Sequence, residues 1–155
     1  MSRLRFLPIV LLSGALLSCH SVPSTTTSEE LLTRTWRVIS LTEQVGQAPV
    51  TNLFQASEPC WKDNLYQLHP QGVYTLLEGA TPCNAQDPAS RSGRWEFTPG
   101  TAYFRATIVY GPPSEGAETR LQGRIESLTA HRLVLTQVDT LAGVITRTRT
   151  TLQAQ

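Results

Sequence analysis

The sequence predicts an all-β domain: an eight-stranded antiparallel up-and-down barrel preceded by one short helical turn. Two observations carry this. From Arg34 onward the chain breaks into eight short β-type runs separated by turn residues, and no segment long enough for a helix shows helical periodicity. Apolar residues make up 40% of the chain and charged residues 16%, so a core can be buried and general disorder is excluded. Closing eight consecutive strands into a barrel removes the two unpaired edges that invite aggregation.

The chain opens differently. Arg3 and Arg5 precede the apolar run from Phe6 to Leu12 and the small residues Ser13, Gly14 and Ala15, the layout of a secretory signal. A membrane-spanning helix would need about 20 apolar residues, and Pro8, Ser13 and Gly14 break a run already too short. Leu16, Leu17, Ser18 and Cys19 follow and resemble the bacterial lipobox, which implies cleavage before Cys19 and lipid on its sulfur. Two or more acyl chains make such attachment stable, at about 0.8 kcal/mol per buried CH₂. The expected organisation is a signal peptide over 1–18, a lipidated cysteine and polar tether over 19–30, and the barrel over 31–155. The expected location is the bacterial cell envelope, on the outer membrane in preference, with the domain in the periplasm or at the cell surface.

Losing Arg3 and Arg5 leaves 11 basic residues against 12 acidic, a net charge of −1. Nucleic acid is thereby excluded as a partner, because it requires a clustered basic face. Three cysteines are awkward in an oxidising compartment, and lipid on Cys19 resolves the odd thiol. Cys60 and Cys83 then remain as one candidate disulfide, 23 positions apart, for which chain entropy gives about 3.5 kcal/mol. The alternative, a metal pair, lacks a Cys-x-x-Cys, and His69 and His131 have no mutual ligand spacing.

Element by element, Thr27 and Glu30 form a capping box that starts a helical turn over Ser28 to Thr33. The first strand runs from Thr35 to Glu43. The segment from Gln44 to Lys62 lacks clear alternation and reads as a long functional loop. Runs from Asn64 to His69 and from Val73 to Glu78 flank the turn Pro70-Gln71-Gly72, and runs from Gly93 to Phe97 and from Ala102 to Tyr110 flank Thr98 to Thr101. In the fifth run Phe104, Ala106, Ile108 and Tyr110 alternate with Tyr103, Arg105, Thr107 and Val109, which gives one dry face. The sixth, Thr119 to Leu128, sets Leu121, Gly123 and Ile125 against a wet face of Arg120, Gln122, Arg124 and Glu126. The seventh and eighth run from Arg132 to Val138 and from Gly143 to Leu152.

Over residues 31–152 the chain resembles bacterial lipocalin-like lipoproteins, in particular the small lipocalin-like domains of the Bacteroidetes type. The matching pieces are Leu32 to Trp36, Cys60 to Leu68 leading into Pro70 to Tyr74, Cys83, Gly93 to Phe97, and Ile125 to Thr129 before Leu133 to Leu135. Arg34 stands where lipocalins usually carry glycine two residues before the first-strand Trp. The resemblance implies that Trp36 closes one barrel end under an arginine of the last strand, Arg147 or Arg149, a contact contributing about 0.5–2 kcal/mol.

The sequence holds no nucleophile elbow, phosphate loop, His-Glu-x-x-His or dinucleotide fingerprint, and neither catalytic residues nor a cofactor or metal are expected. His69 and His131 read as surface residues, and Asp63 as a turn or strand-start residue. The aromatic set Trp36, Tyr66, Tyr74, Trp95, Phe97, Phe104 and Tyr110 either fills the barrel or forms a ligand surface. The polar alternation of Thr146, Thr148 and Thr150 favours some wet interior.

Two functions follow as expectations for a monomeric protein. One is binding of a small apolar ligand in the barrel, with the 44–62 segment as lid and a pocket of about 300 Å³ or more. The other is a protein-binding module, such as an envelope protease or lysozyme inhibitor, with a filled barrel and exposed loop tips at Leu53 and Phe54.

Overall fold

The structure is a computed structural model that describes residues 27–86, 88–109 and 117–155; the side chains of 109 and 117–120 lie outside that description. The expected signal peptide, Cys19 and Tyr110 lie outside the described residues. No helix among the described residues is long and apolar enough to cross a membrane.

Helix α1 (Ser28–Leu32) begins at the expected capping box: Thr27 accepts from the Glu30 N–H at 3.2 Å, and the Glu30 carboxylate accepts from the Thr27 N–H at 2.7 Å. It stops after one turn and a half, and its Leu32 plugs the barrel end, fully buried.

The sheet then follows chain order: β1 (Thr35–Val45), β2 (Thr51–Asn52), β3 (Leu65–His69), β4 (Val73–Leu77), β5 (Ser90–Thr98), β6 (Tyr103–Val109), β7 (Ala117–Leu128), β8 (Arg132–Leu141) and β9 (Val144–Ala154). Eight of these, all but β2, are the expected strands. Each neighbour pair is antiparallel, and β1 pairs with β9 from Trp36↔Ala154 to Val45↔Thr146, which closes the barrel. The eight-stranded all-β barrel is therefore observed as expected.

Alternation drives the burial. Phe104, Ala106 and Ile108 on β6 are fully buried, while Arg105 between them is exposed. With Trp36, Tyr74, Leu76, Leu133, Leu135 and Leu152 they form one core, each large side chain contributing about 1.5–3 kcal/mol by leaving water. Tyr66 and Tyr74 stack with centroids 6.3 Å apart, and Trp95 tilts against Phe104 at 6.1 Å. Both core indoles meet partners: Trp36 Nε1–H donates to the Leu32 carbonyl at 2.9 Å, and Trp95 Nε1–H to that of His69 at 2.8 Å.

One seam is short. β1 pairs with β3 only at Thr35↔Gln67 and Trp36↔Tyr66, and a bulge between Val38 and Ser40 then bends β1 further. Its second half pairs instead with β2, at Thr42↔Asn52 and Glu43↔Thr51. The barrel wall thus parts at one end, and the segment between β1 and β3 covers the gap.

That segment is more ordered than its composition suggests. It holds β2 and two four-residue helices, α2 (Leu53–Ala56) and α3 (Pro59–Lys62). Asn52 caps α2 through Gln55 N–H at 3.0 Å, and Pro59 starts α3. Helices this short complete no apolar period, so the sequence pattern does not reveal them.

Candidate functional site

A cavity of about 180 Å³ lies where β1 leaves β3. Val38 and Leu41 from β1, Tyr66 from β3, Leu121 from β7 and Thr150 from β9 form its walls, and Phe54, Ser57 and Trp61 from α2, α3 and their link form its roof. The lining is chiefly apolar, with a few hydroxyls. Ser57 spends its own by donating to the Leu53 carbonyl at 2.8 Å.

Strand register defines what stands above. Leu41, Thr150 and Leu135 share one rung, Glu43, Thr148 and Gln137 the next, and Val45, Thr146 and Asp139 the last before the rim. Directly paired antiparallel residues point to the same face, so the two upper rungs line the inside of the mouth. Gln137 donates to Asp139 at 2.7 Å. An apolar floor thus lies below a polar, partly acidic collar, and the threonine alternation on β9 is its visible trace in the sequence.

The roof is fastened on one side. Cys60 and Cys83 are joined, with Cα atoms 5.1 Å apart, which ties α3 to the β4–β5 connection. Asp63 accepts from the Thr81 N–H at 3.1 Å and buried Asn64 from the Gly79 N–H at 3.2 Å. A Cβ on Gly79 would stand 2.1 Å from the Asp63 carboxyl carbon, so a side chain there would push that carboxylate off the Thr81 N–H. Lys62 donates to the Gln55 carbonyl at 3.1 Å and lies 5.8 Å over the Phe54 ring, holding α2 to α3. Glu58 has ligand atoms near both sulfurs, but those sulfurs are committed to each other and are not thiolate ligands.

The aromatic candidates separate by depth. Among the described ones Tyr66 alone lines the cavity; Trp36, Tyr74 and Phe104 are fully buried, Trp95 is 6% exposed, and half-buried Phe97 packs on the same core. The aliphatic walls Val38, Leu41 and Leu121 carry no distinguishing signal beyond inward alternation. Leu53 and Phe54, expected as exposed tips of a protein-binding module, are half-buried, and Phe54 faces the cavity. His69 and His131 are exposed, as expected.

The arginine on Trp36 differs from expectation. Arg34, not Arg147 or Arg149, sits 5.8 Å from the Trp36 ring centre, and its guanidinium also donates to the Ala130 carbonyl. Register explains this: Arg147 and Arg149 pair with Gln44 and Thr42, toward the other end of β1. Arg149 instead pairs with Glu126 at 2.9 Å. That contact, with a second hydrogen bond from Thr136, holds the Glu126 carboxyl below its ordinary value, and Glu126 in turn raises that of Arg149.

No family model and no curated protein matches the sequence. Among solved structures the fold is similar to insecticyanin from the tobacco hornworm Manduca sexta, with a TM-score of 0.51 at 10% sequence identity. The match covers 79% of this chain and 61% of that one, so the chain spans under two thirds of its neighbour's length. The fold is an all-β, lipocalin-like barrel. At this identity the likeness is one of fold alone.

Proposed function

We propose that this protein is a lipid-anchored, lipocalin-like lipoprotein of the bacterial cell envelope that binds a small apolar ligand in the open half of its barrel. The observation that carries the binding reading is the apolar cavity under a pinned roof. Its volume, about 180 Å³, is smaller than the 300 Å³ expected from sequence. Dry cavities of about 150 Å³ accept a benzene-sized molecule, so the ligand is of that size, or a longer apolar chain enters by one end. The polar collar of Glu43, Gln137 and Asp139 suits a ligand whose outer end is wet. A binding protein rather than an enzyme is the reading that a filled lower barrel and an absence of catalytic motifs support.

The anchor rests on the sequence around Cys19 and the location on the anchor. Cys19→Ala should leave the protein unprocessed or release it from the membrane fraction, and unchanged retention as a mature-sized chain would remove the anchor. Native mass spectrometry of the chain starting at Ser21, before and after solvent extraction, tests the ligand. A small co-purifying mass lost on extraction is expected; a bare protein that takes up no apolar probe would contradict the carrier reading.

A further inference from the structure

The β8–β9 hairpin exposes more apolar surface than a solvated turn requires. Leu141 is 82% exposed, Val138 54%, and Val144 and Ile145 46% each. Register places them on both faces of the hairpin, with Leu141 opposite Val144 at the tip on the inner side and Val138 and Ile145 on the outer side that carries Arg147. The Gly46 N–H donates to the Ile145 carbonyl at 2.8 Å, which holds the end of β1 against the hairpin, with exposed Val45 on the inner side. Single exposed apolar residues need no explanation, whereas a hairpin end that is apolar on both faces is suited to insertion into an apolar medium.

Charge indicates what that surface meets. On the outer wall, register sets Arg147 beside Val138, and Arg124 and Arg149 on either side of Thr136. Glu126 neutralises Arg149 in part, while Arg124 and Arg147 have no carboxylate partner among the described residues. A groove of about 470 Å³, lined by Arg124, Ile125, Glu126, Thr136 and Val138, runs along this flank. The acids of this region, Glu43 and Asp139, face the barrel interior instead. With a net charge of −1 for the chain after Ser18, any attraction to anions must come from this local segregation.

We infer that the β8–β9 hairpin and its arginine flank dock on an anionic lipid bilayer. Leu141, Val144 and Ile145 enter the boundary between headgroups and acyl chains, and Arg124, Arg147 and Arg149 meet the phosphates. The apolar tip needs a partner that accepts aliphatic side chains without a shaped pocket, and the arginines need phosphate within a few ångströms; a bilayer supplies both. The inference is independent of the ligand reading, since it needs no cavity. The nine residues from Cys19 to Thr27 span at most about 26–29 Å, which keeps the barrel close to the membrane at the proposed anchor.

The test uses the chain starting at Ser21, because the barrel, its core and its disulfide all lie within residues 27–155. It is sedimented with vesicles of phosphatidylethanolamine and phosphatidylglycerol, and with vesicles of phosphatidylcholine alone. Preferential binding to the anionic vesicles, weakened by salt, is expected. Leu141→Glu should lower the partition coefficient at least about tenfold, and Arg147→Gln about fivefold. Both positions are exposed, and an unchanged thermal midpoint confirms that the fold is intact in each. Equal binding to neutral vesicles, or a Leu141→Glu protein that binds as the parent does, would overturn the inference.

Discussion

Trp36 and Leu141 mark opposite ends of one barrel. Around Trp36 the interior is dry and complete: Leu32 plugs it from α1, Arg34 covers the indole, and Phe104, Leu133 and Leu152 pack beneath without exposure. Around Leu141 the same strands enclose an apolar cavity, a collar of threonines and acids, and an exposed tip. The difference follows from pairing. β1 holds β3 only beside Trp36, so the wall closes there and parts above, where a roof of two short helices replaces hydrogen-bonded strand. Stability concentrated in one end leaves the other free to carry a cavity and unsatisfied apolar surface.

Substitutions can break this contrast in order of size. Trp36→Ala should cost about 3–5 kcal/mol in urea unfolding, since a fully buried indole leaves a void that the surrounding strands cannot fill. A cost below about 1 kcal/mol would place the stabilising core elsewhere. Replacing Cys60 and Cys83 by Ser should cost about 3.5 kcal/mol or less and act locally. Amide exchange should quicken around Trp61 and Lys62 while the amides of Phe104 and Leu133 keep their protection. Equal acceleration in both regions would show that the disulfide supports the whole barrel rather than the roof.

The hairpin tip offers a gain. Leu141-Ala142-Gly143-Val144 turns with φ of 50° at Ala142 and 79° at Gly143, the pattern of a two-residue turn with both central residues left-handed. Alanine is disfavoured there, so Ala142→Gly should raise stability by about 0.5–1 kcal/mol in thermal unfolding. A loss would argue against this turn. The smallest effect concerns Glu126 on the outer wall, whose folded pKa is depressed by hydrogen bonds from Arg149 and then Thr136. A depressed carboxyl stabilises above its unfolded pKa and loses that contribution as pH falls through the folded value. Arg149→Gln should therefore return the Glu126 titration toward the ordinary glutamate range in a carboxyl-carbon NMR experiment, with little change in stability because the pair is exposed.

Much of the fold was legible because its signals are local. Alternation in β6 and β7, the turns at Pro70-Gln71-Gly72 and Pro99-Gly100, and the Thr27 capping box each lie within a few residues, and each strand appears within a few residues of its expected ends. The Cys60–Cys83 bridge was expected from the thiols that remain once Cys19 is set aside and from the oxidising compartment that the N-terminal sequence suggests. What depended on long-range register was not legible. Nothing in β9 itself says that Arg147 and Arg149 stand opposite Gln44 and Thr42 rather than near Trp36. For the same reason the aromatic residues could be read as inward-facing but not assigned to the packed end or the open one, and Tyr66 could not be told from Tyr74. The cavity walls Val38, Leu41 and Leu121 are ordinary aliphatic residues, brought together by a seam that parts and by two helices too short to show a period.

The central claim is that the open half of the barrel is a binding cavity and the Trp36 end is not. Fluorescence titration of the chain from Ser21 with an apolar naphthyl probe tests it, using the parent protein and Leu41→Phe, whose larger side chain extends from the wall into the cavity. Saturable uptake at a single site, weakened at least about tenfold in Leu41→Phe at unchanged thermal stability, is the expected result. No saturable uptake by the parent, or uptake that Leu41→Phe leaves unaltered, would contradict the account.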